Sequence, residues 1–388
     1  MTTPTNYRLS GTLDTLLSET SFVPGVVAAV ADRNGLLYAG AAGVRDTDTG
    51  IAMDTKTIIA IASMTKAITT TALLQLVEQG LVLLDAPVAD YLPQLANLQV
   101  LDGFDSAEKM RLISPEKAPT VRQLLTHTSG YVYEIWNEDA LKTVTTGQVD
   151  SLFVEGGTGL LAPLGFTPGS RWEYGIGIDI AGQVIEAVSG ETLDSYFLTH
   201  IFDPLGMEDT FYSVPEEKKN REASIHIHAD GYFSPIPPLS ESISGGGGLH
   251  STVHDYVRFM RVMLNSGILG GVKILEPATV DSMFANQIGD LSVGPGTTQM
   301  PEFSNDFDMG FGAPAKWGLG FLLHPDGTPA GRPSGSGSWA GLFNSYFWID
   351  RERGLCAVIA TQLLPFYDAG AIELLKSFEE LVYSSTKG

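Results

Sequence analysis

The sequence predicts an α+β protein: an antiparallel sheet flanked by helices, with a mostly helical segment inserted between the two halves of the sheet. Strand-like apolar runs cluster at both chain ends, at residues 25–31 and 36–41 and again at 342–349 and 355–361. Each pair is separated by a short polar turn, 32–35 and 350–354, as in a hairpin. Between these ends Pro87, Pro93, Pro115, Pro119, Pro163 and Pro168 break the chain into short helices and loops. On this reading residues 1–84 and 235–388 form the sheet-bearing domain and residues 85–234 the helical one.

The elements follow in order. Residues 9–17 have helical periodicity. In the stretch 61–80, Ile68, Ala72, Leu73, Leu76 and Val77 recur at helical spacing, and Gly80 stands where a left-handed C-terminal cap belongs. Residues 83–92 and 120–130 suggest short helices ended by turns, and strand patterns are scarce until after Tyr232. Tyr174-Gly-Ile-Gly177 is a small-residue loop, which puts Tyr174 at a loop tip before a helix over 178–188 closed by Gly190. A further helix spans 193–202, ended by the loop 204–207. Four glycines, 245–248, permit positive φ and close approach of another backbone, at an entropic cost that implies a packing or functional reason. Residues 249–264 read as a helix, 286–315 as a Gly- and Pro-rich loop suited to framing a cleft, and 369–383 as an amphipathic helix.

Composition excludes several functions. A formal charge of −22 over 388 residues repels nucleic acid and polyanionic substrates and otherwise serves solubility. No apolar stretch approaches the ~20 residues of a membrane span. The N-terminal residues show neither a basic nor an apolar leader region, so a cytoplasmic location is expected. The single cysteine, Cys356, lies in an apolar run and reads as a buried strand residue.

The chemistry points to Ser63-x-x-Lys66. Residues three apart share a helix face, so Lys66 can bring its amine to the Ser63 hydroxyl. That hydroxyl is a weak nucleophile until a base takes its proton, and a lysine serves only if burial or nearby positive charge lowers its pKa. At a helix start the Ser63 N–H can also donate to an oxyanion. The same spacing occurs at Ser106/Lys109, Ser114/Lys117 and Ser384/Lys387, but only Ser63 opens a long apolar helix.

Ser63-x-x-Lys66, Tyr174 at its loop tip and Trp339-Ala340-Gly341 at the start of a strand come in an order that resembles the serine β-lactamase-like superfamily, specifically the family VIII carboxylesterases akin to class C β-lactamases. The resemblance runs from about residue 10 to 380 and includes the stretches 124–130, 205–207 and 245–249. It implies a β-lactamase/transpeptidase-like fold with no cofactor and no metal. Ser63 would be the nucleophile, Lys66 its activating partner, Tyr174 the general base and acid, and the backbone N–H groups of Ser63 and Leu342 the oxyanion hole. Penicillin-recognising relatives carry Tyr-x-Asn or Ser-x-Asn where this chain has Tyr174, Gly175 and Ile176, and Lys-Thr-Gly where it has Trp339, Ala340 and Gly341. The missing amide and missing cation favour a neutral small-molecule ester over an anionic lactam. The expected reaction is hydrolysis of short-chain or aryl esters through an acyl-enzyme. An acyltransferase or amide hydrolase on the same fold, or a silent penicillin-binding-like protein, are the alternatives. The loops near Tyr133, Phe153 and Phe303 are candidate pocket walls.

Other groups read as structural. His127 satisfies backbone groups in a turn. His250 and His254 are four apart on the expected helix but lack the Glu of a metalloprotease motif. His226 and His228 alternate as on a strand with one side in solvent, and the pairs Glu216-Glu217 and Glu379-Glu380 read as solvated helix faces.

Overall fold

The computed structural model describes residues 4–152, 161–237 and 243–385. Its largest sheet has strands β1 (Gly25–Asp32), β2 (Leu36–Gly43), β3 (Lys316–Trp317), β4 (Leu322–His324), β5 (Ser336–Gly341), β6 (Ser345–Asp350) and β7 (Leu355–Ala360). They lie in the order β3-β4-β5-β6-β7-β1-β2, every neighbouring pair antiparallel. The N-terminal hairpin joins the C-terminal strands with Val27 opposite Ala360 and Val30 opposite Ala357. Both chain ends therefore build one sheet.

Strands β5, β6 and β7 are buried along their whole length, which is why residues 355–360 read as an unbroken apolar run rather than an alternation. Adjacent strand residues face opposite ways, and β6 shows what covers each face. The Phe347 ring lies 5.1 Å from that of Tyr256 on helix Val253–Leu264. The Trp348 indole N–H donates to the Tyr383 hydroxyl at 3.1 Å, on helix Ala369–Ser385. One helix thus covers each face.

Helix Thr65–Glu78 is buried on almost every side and packs against helix Gly177–Ser189. Two of its buried threonines are held by backbone acceptors: Thr71 Oγ1 donates to Ala67 O at 2.9 Å, and Thr69 Oγ1 to Gly245 O at 2.6 Å. Gly80 closes it with φ of 72°. Gly190 caps the partner helix with φ of 74°. At Gly177 a Cβ would come within 2.6 Å of Leu124 O, so glycine lets that helix begin against the turn after residue 120.

Several expectations are corrected. Helix Val253–Leu264 starts four residues late because Thr252 is its N-cap, its side chain accepting from Asp255 N. His250 therefore sits not on that helix but in a two-residue strand, His250–Ser251, paired with Ile59–Ala60. Residues 83–92 hold only the single turn Val88–Asp90. The middle of the chain contains a hairpin, Val100–Phe104 with Met110–Ile113, whose mostly exposed strands carry no apolar alternation to announce them. A second hairpin begins at His226, ahead of Tyr232. Residues 193–202 run on as helix through a π turn to Leu205, closed by left-handed Gly206. The motif Trp339–Gly341 ends β5 rather than starting the next strand, and residues 342–344 form the turn into β6, with Asn344 at φ 57°. Within β5, Gly337 is where the Phe284 ring lies against the strand.

Candidate active site

Ser63 lies in the single turn Ala62–Met64 that leads into helix Thr65–Glu78. That turn is held against the end of β5: a Cβ on Gly341 would come within 2.5 Å of Ile61 O, so the strand approaches the serine this closely only with glycine there. Ala62, at φ 44°, is a non-glycine residue in the left-handed region immediately before Ser63.

Lys66 has no solvent exposure, and its Nζ contacts three oxygens. It lies 3.2 Å from Ser63 Oγ, 3.0 Å from the Tyr133 hydroxyl and 2.6 Å from Gly246 O. Tyr133 in turn donates to Asp179 Oδ2 at 3.1 Å. Asp179 Oδ1 accepts from the Ser244 hydroxyl and from Gly246 N, the latter at 3.2 Å. Burial, then the Asp179 charge, pushes the Tyr133 phenol well above its usual range, so it keeps its proton. The glycine run has its reason here. A Cβ on Gly246 would overlap the Asp179 carboxylate and one on Gly245 would overlap Ile178 O, so close approach rather than positive φ requires those two glycines.

Tyr174 also packs beside the amine, its ring centroid 5.1 Å from Lys66 Nζ and 5.2 Å from the Tyr133 ring. Its hydroxyl accepts from Trp339 Nε1 at 3.4 Å. Ser63, Tyr174, Trp339, Ala340, Gly341 and Leu342 line one cavity, completed by Trp136, Phe307 and Phe366. Among the described residues no charged side chain lines it. Ile176 is not part of this wall: it is buried and borders a second cavity with Tyr131 and Glu134, because Gly175 packs its backbone onto Tyr131 and turns the next side chain that way.

The remaining candidates separate. Tyr133 touches the lysine, Phe303 packs with Leu342 and Phe343 in a small neighbouring cluster, and Phe153 lies outside the described residues. His127 serves the backbone as expected. Its Nδ1 accepts from Gly175 N at 3.4 Å, its ring lies 4.8 Å from those of Tyr174 and Trp317, and burial together with Lys66 holds its pKa well below the usual value. His226 is buried, not solvent-facing, and accepts from Thr47 N at 3.2 Å. Glu379, expected in solvent, is buried and paired with Arg332 and Thr328. Among the described residues no group of three or more His, Cys, Asp or Glu side chains is placed to hold a metal ion, and no helix is long and apolar enough to cross a membrane.

Sequence reasoning did not single out Asp179, Trp136, Phe307 or Phe366. Asp179 had a signal, an acid in the first turn of an otherwise apolar helix; the three aromatics had none, because they arrive from separate loops.

The beta-lactamase family model matches residues 13–378. Lovastatin esterase of Penicillium rubens is 31% identical over 398 residues, covering 94% of this chain and 95% of that protein. Monacolin J acid methylbutanoyltransferase of Aspergillus terreus is 30% identical over 402 residues, covering 95% of each. Unliganded simvastatin synthase LovD from Aspergillus terreus superposes with a TM-score of 0.83 at 27% identity, covering 99% of this chain and 98% of that one. A serine with a buried amine at its hydroxyl, on a sheet and helix arrangement matched end to end by these proteins, places the chain in the beta-lactamase family, as a serine hydrolase or acyltransferase of that fold.

Proposed function

We propose that this protein is a serine carboxylesterase of the family VIII type, hydrolysing short-chain or aryl carboxylic esters through an acyl-enzyme. The observation that supports it most is the amine of Lys66 at 3.2 Å from Ser63 Oγ, at the edge of an aromatic cavity that has no charged lining among the described residues. Ser63 Oγ attacks the ester carbonyl as its proton passes to Lys66 Nζ. The carbonyl oxygen, now negative, is held by the N–H groups of Ser63 and Leu342. The tetrahedral intermediate collapses, the C–O bond to the alcohol breaks, and Tyr174 delivers a proton to the departing oxygen. Lys66 returns the serine proton to Tyr174, water attacks the acyl-enzyme with its proton passing by way of Tyr174 to Lys66, and Lys66 gives a proton back to Ser63 Oγ as the bond to the acid breaks.

The neutral wall selects the substrate. Trp339 offers an indole where a lactam carboxylate would need a cation, and Ile176 brings no amide to the site, so weak turnover of β-lactams is expected. Side-by-side assays of p-nitrophenyl butyrate, nitrocefin and a linear amide test this. Fast ester turnover with slow nitrocefin supports the reading, and the reverse order overturns it. A fluorophosphonate probe should label the wild type and not Ser63→Ala; an unlabelled wild type would point to a silent protein.

Acyl transfer is the second reading, favoured by the 30% identity to a methylbutanoyltransferase. Adding a small alcohol to the ester assay distinguishes them: transfer gives a new ester, and hydrolysis gives the free acid.

A further inference from the structure

The contacts of Lys66 contain information about where its lone pair points. As an ammonium it donates three hydrogen bonds, one to each of its oxygens; as the neutral amine that takes the Ser63 proton, it has two hydrogens and one lone pair for the same three directions. Gly246 O accepts only, so one N–H must stay there. A hydroxyl such as Tyr133's can accept or donate, and its choice decides the rest. Asp179 makes that choice: its Oδ2 takes the Tyr133 proton, so the Tyr133 oxygen offers Lys66 a lone pair and holds the second N–H. The only direction left for the amine lone pair is Ser63.

We propose that Tyr133 and Asp179 are positioning residues for acylation, orienting the lone pair of neutral Lys66 onto the Ser63 hydroxyl. This rests on the esterase reading given above, in which Lys66 receives the serine proton. Asp179 is itself locked, because Ser244 and Gly246 N donate to its Oδ1 and leave Oδ2 for Tyr133. Helix Gly177–Ser189 carries the acid and helix Thr65–Glu78 the amine, so the two groups are carried on helices packed directly against each other.

The same locking makes Asp179→Asn an informative variant. The donors at Oδ1 hold the amide oxygen where the carboxylate oxygen was, so the new NH2 group points at Tyr133. It donates to the phenol, the Tyr133 proton turns toward Lys66 Nζ, and the lone pair is drawn off Ser63. Tyr133→Phe removes the competition without misdirecting the amine. Acylation, read as the burst with p-nitrophenyl butyrate and as the rate of fluorophosphonate labelling, should fall roughly 100-fold in Asp179→Asn and only about tenfold in Tyr133→Phe, with KM little changed, the larger loss being in the range general-base catalysis supplies. The double variant should recover to the Tyr133→Phe level. Deleting Tyr133 therefore slows the wild type but speeds Asp179→Asn, a reversal that a merely structural role does not produce.

An Asp179→Asn protein as active as Tyr133→Phe, or a double variant no faster than Asp179→Asn, overturns the inference. Thermal unfolding identifies a variant that fails to fold. In that event Tyr133→Phe decides alone, slower acylation at constant KM supporting the inference and unchanged acylation overturning it. A wild type that neither turns over ester nor labels at Ser63 sinks the esterase reading itself; an active wild type without the ranking sinks only the lone-pair device.

Discussion

Ser63 stands between two unlike walls. On the Lys66 side amine, phenol, carboxylate, hydroxyl and backbone form one connected hydrogen-bonded network. On the other side Trp136, Phe307, Phe366 and Trp339 present rings. Ring contacts pack this wall together, Phe307 lying 5.4 Å from Trp136 and 5.6 Å from Phe366. The difference teaches a division of labour. Proton transfer needs fixed donors and acceptors shielded from water, where each hydrogen bond is strong and each unpaired group costly. Recognition of a neutral acyl group needs only apolar area and shape.

Substitutions on the two walls should therefore separate in kinetics. The largest effect is expected from Lys66→Ala, which leaves the hydroxyl with no base: kcat/KM for p-nitrophenyl butyrate should fall by about 10⁴-fold, the upper range for acid–base catalysis. Retained binding of a non-hydrolysable ester analogue checks that the aromatic wall is intact. If that analogue's affinity falls with kcat, the two walls are not separable.

Gly246→Ala attacks the polar wall with Lys66 itself in place, at a residue whose carbonyl accepts from that lysine. Its Cβ would overlap the Asp179 carboxylate, so the acid must shift from Tyr133. A loss of roughly 100-fold in kcat with KM near wild type is expected, comparable to misplacing a positioned catalytic group. Crystallography of the variant should show Asp179 displaced. An unmoved Asp179 with full activity contradicts the close-approach explanation of the glycine run.

Phe307→Ala tests the opposite wall. Phe307 sits in the loop over 286–315, where a Cβ on Gly296 would overlap its ring. Removing the ring should raise KM for butyrate about tenfold and move the preferred acyl chain to longer lengths, the order expected for apolar pocket contacts. Steady-state kinetics over a chain-length series measure it. A pure kcat loss at unchanged chain preference would place the ring outside the acyl site.

The smallest effect on activity, and a control for both walls, is expected at His324. Burial, then Arg332, lowers its pKa to about 3. The unfolded chain binds this proton near the usual histidine value of about 6.5, so between those two values the unfolded state holds more protons and stability falls with acidification; above that window the residue contributes no slope. Chemical denaturation across that range should show a shallower acid slope in His324→Gln, with ester kinetics at neutral pH unchanged. An unaltered slope would mean that His324 is protonated in the folded state.

Legibility in the sequence followed the locality of the signal. Ser63 and Lys66 share one helical turn, Gly80 and Gly190 end helices with a left-handed residue, and the two terminal hairpins advertise themselves by apolar runs around polar turns. Each is a matter of a few consecutive residues, and local stereochemistry decides it. Helix Val253–Leu264 was misplaced at its start only because the capping role of Thr252 went unread.

What tertiary structure alone decided is which distant residues meet. Tyr133, Asp179 and Gly246 come from three separate segments and converge on one amine, while Ile176, two residues after Tyr174, is turned into a different cavity. Glu379 reads as a surface acid until Arg332 is brought to it across a sequence separation of 47. No periodicity records such pairings, because their stability comes from burial and from mutual satisfaction of polar groups, which exist only once the chain has closed on itself. The sequence by itself determined the Ser63–Lys66 pair and the sheet built from both ends; packing determined how the Lys66 amine is held and what surrounds Ser63.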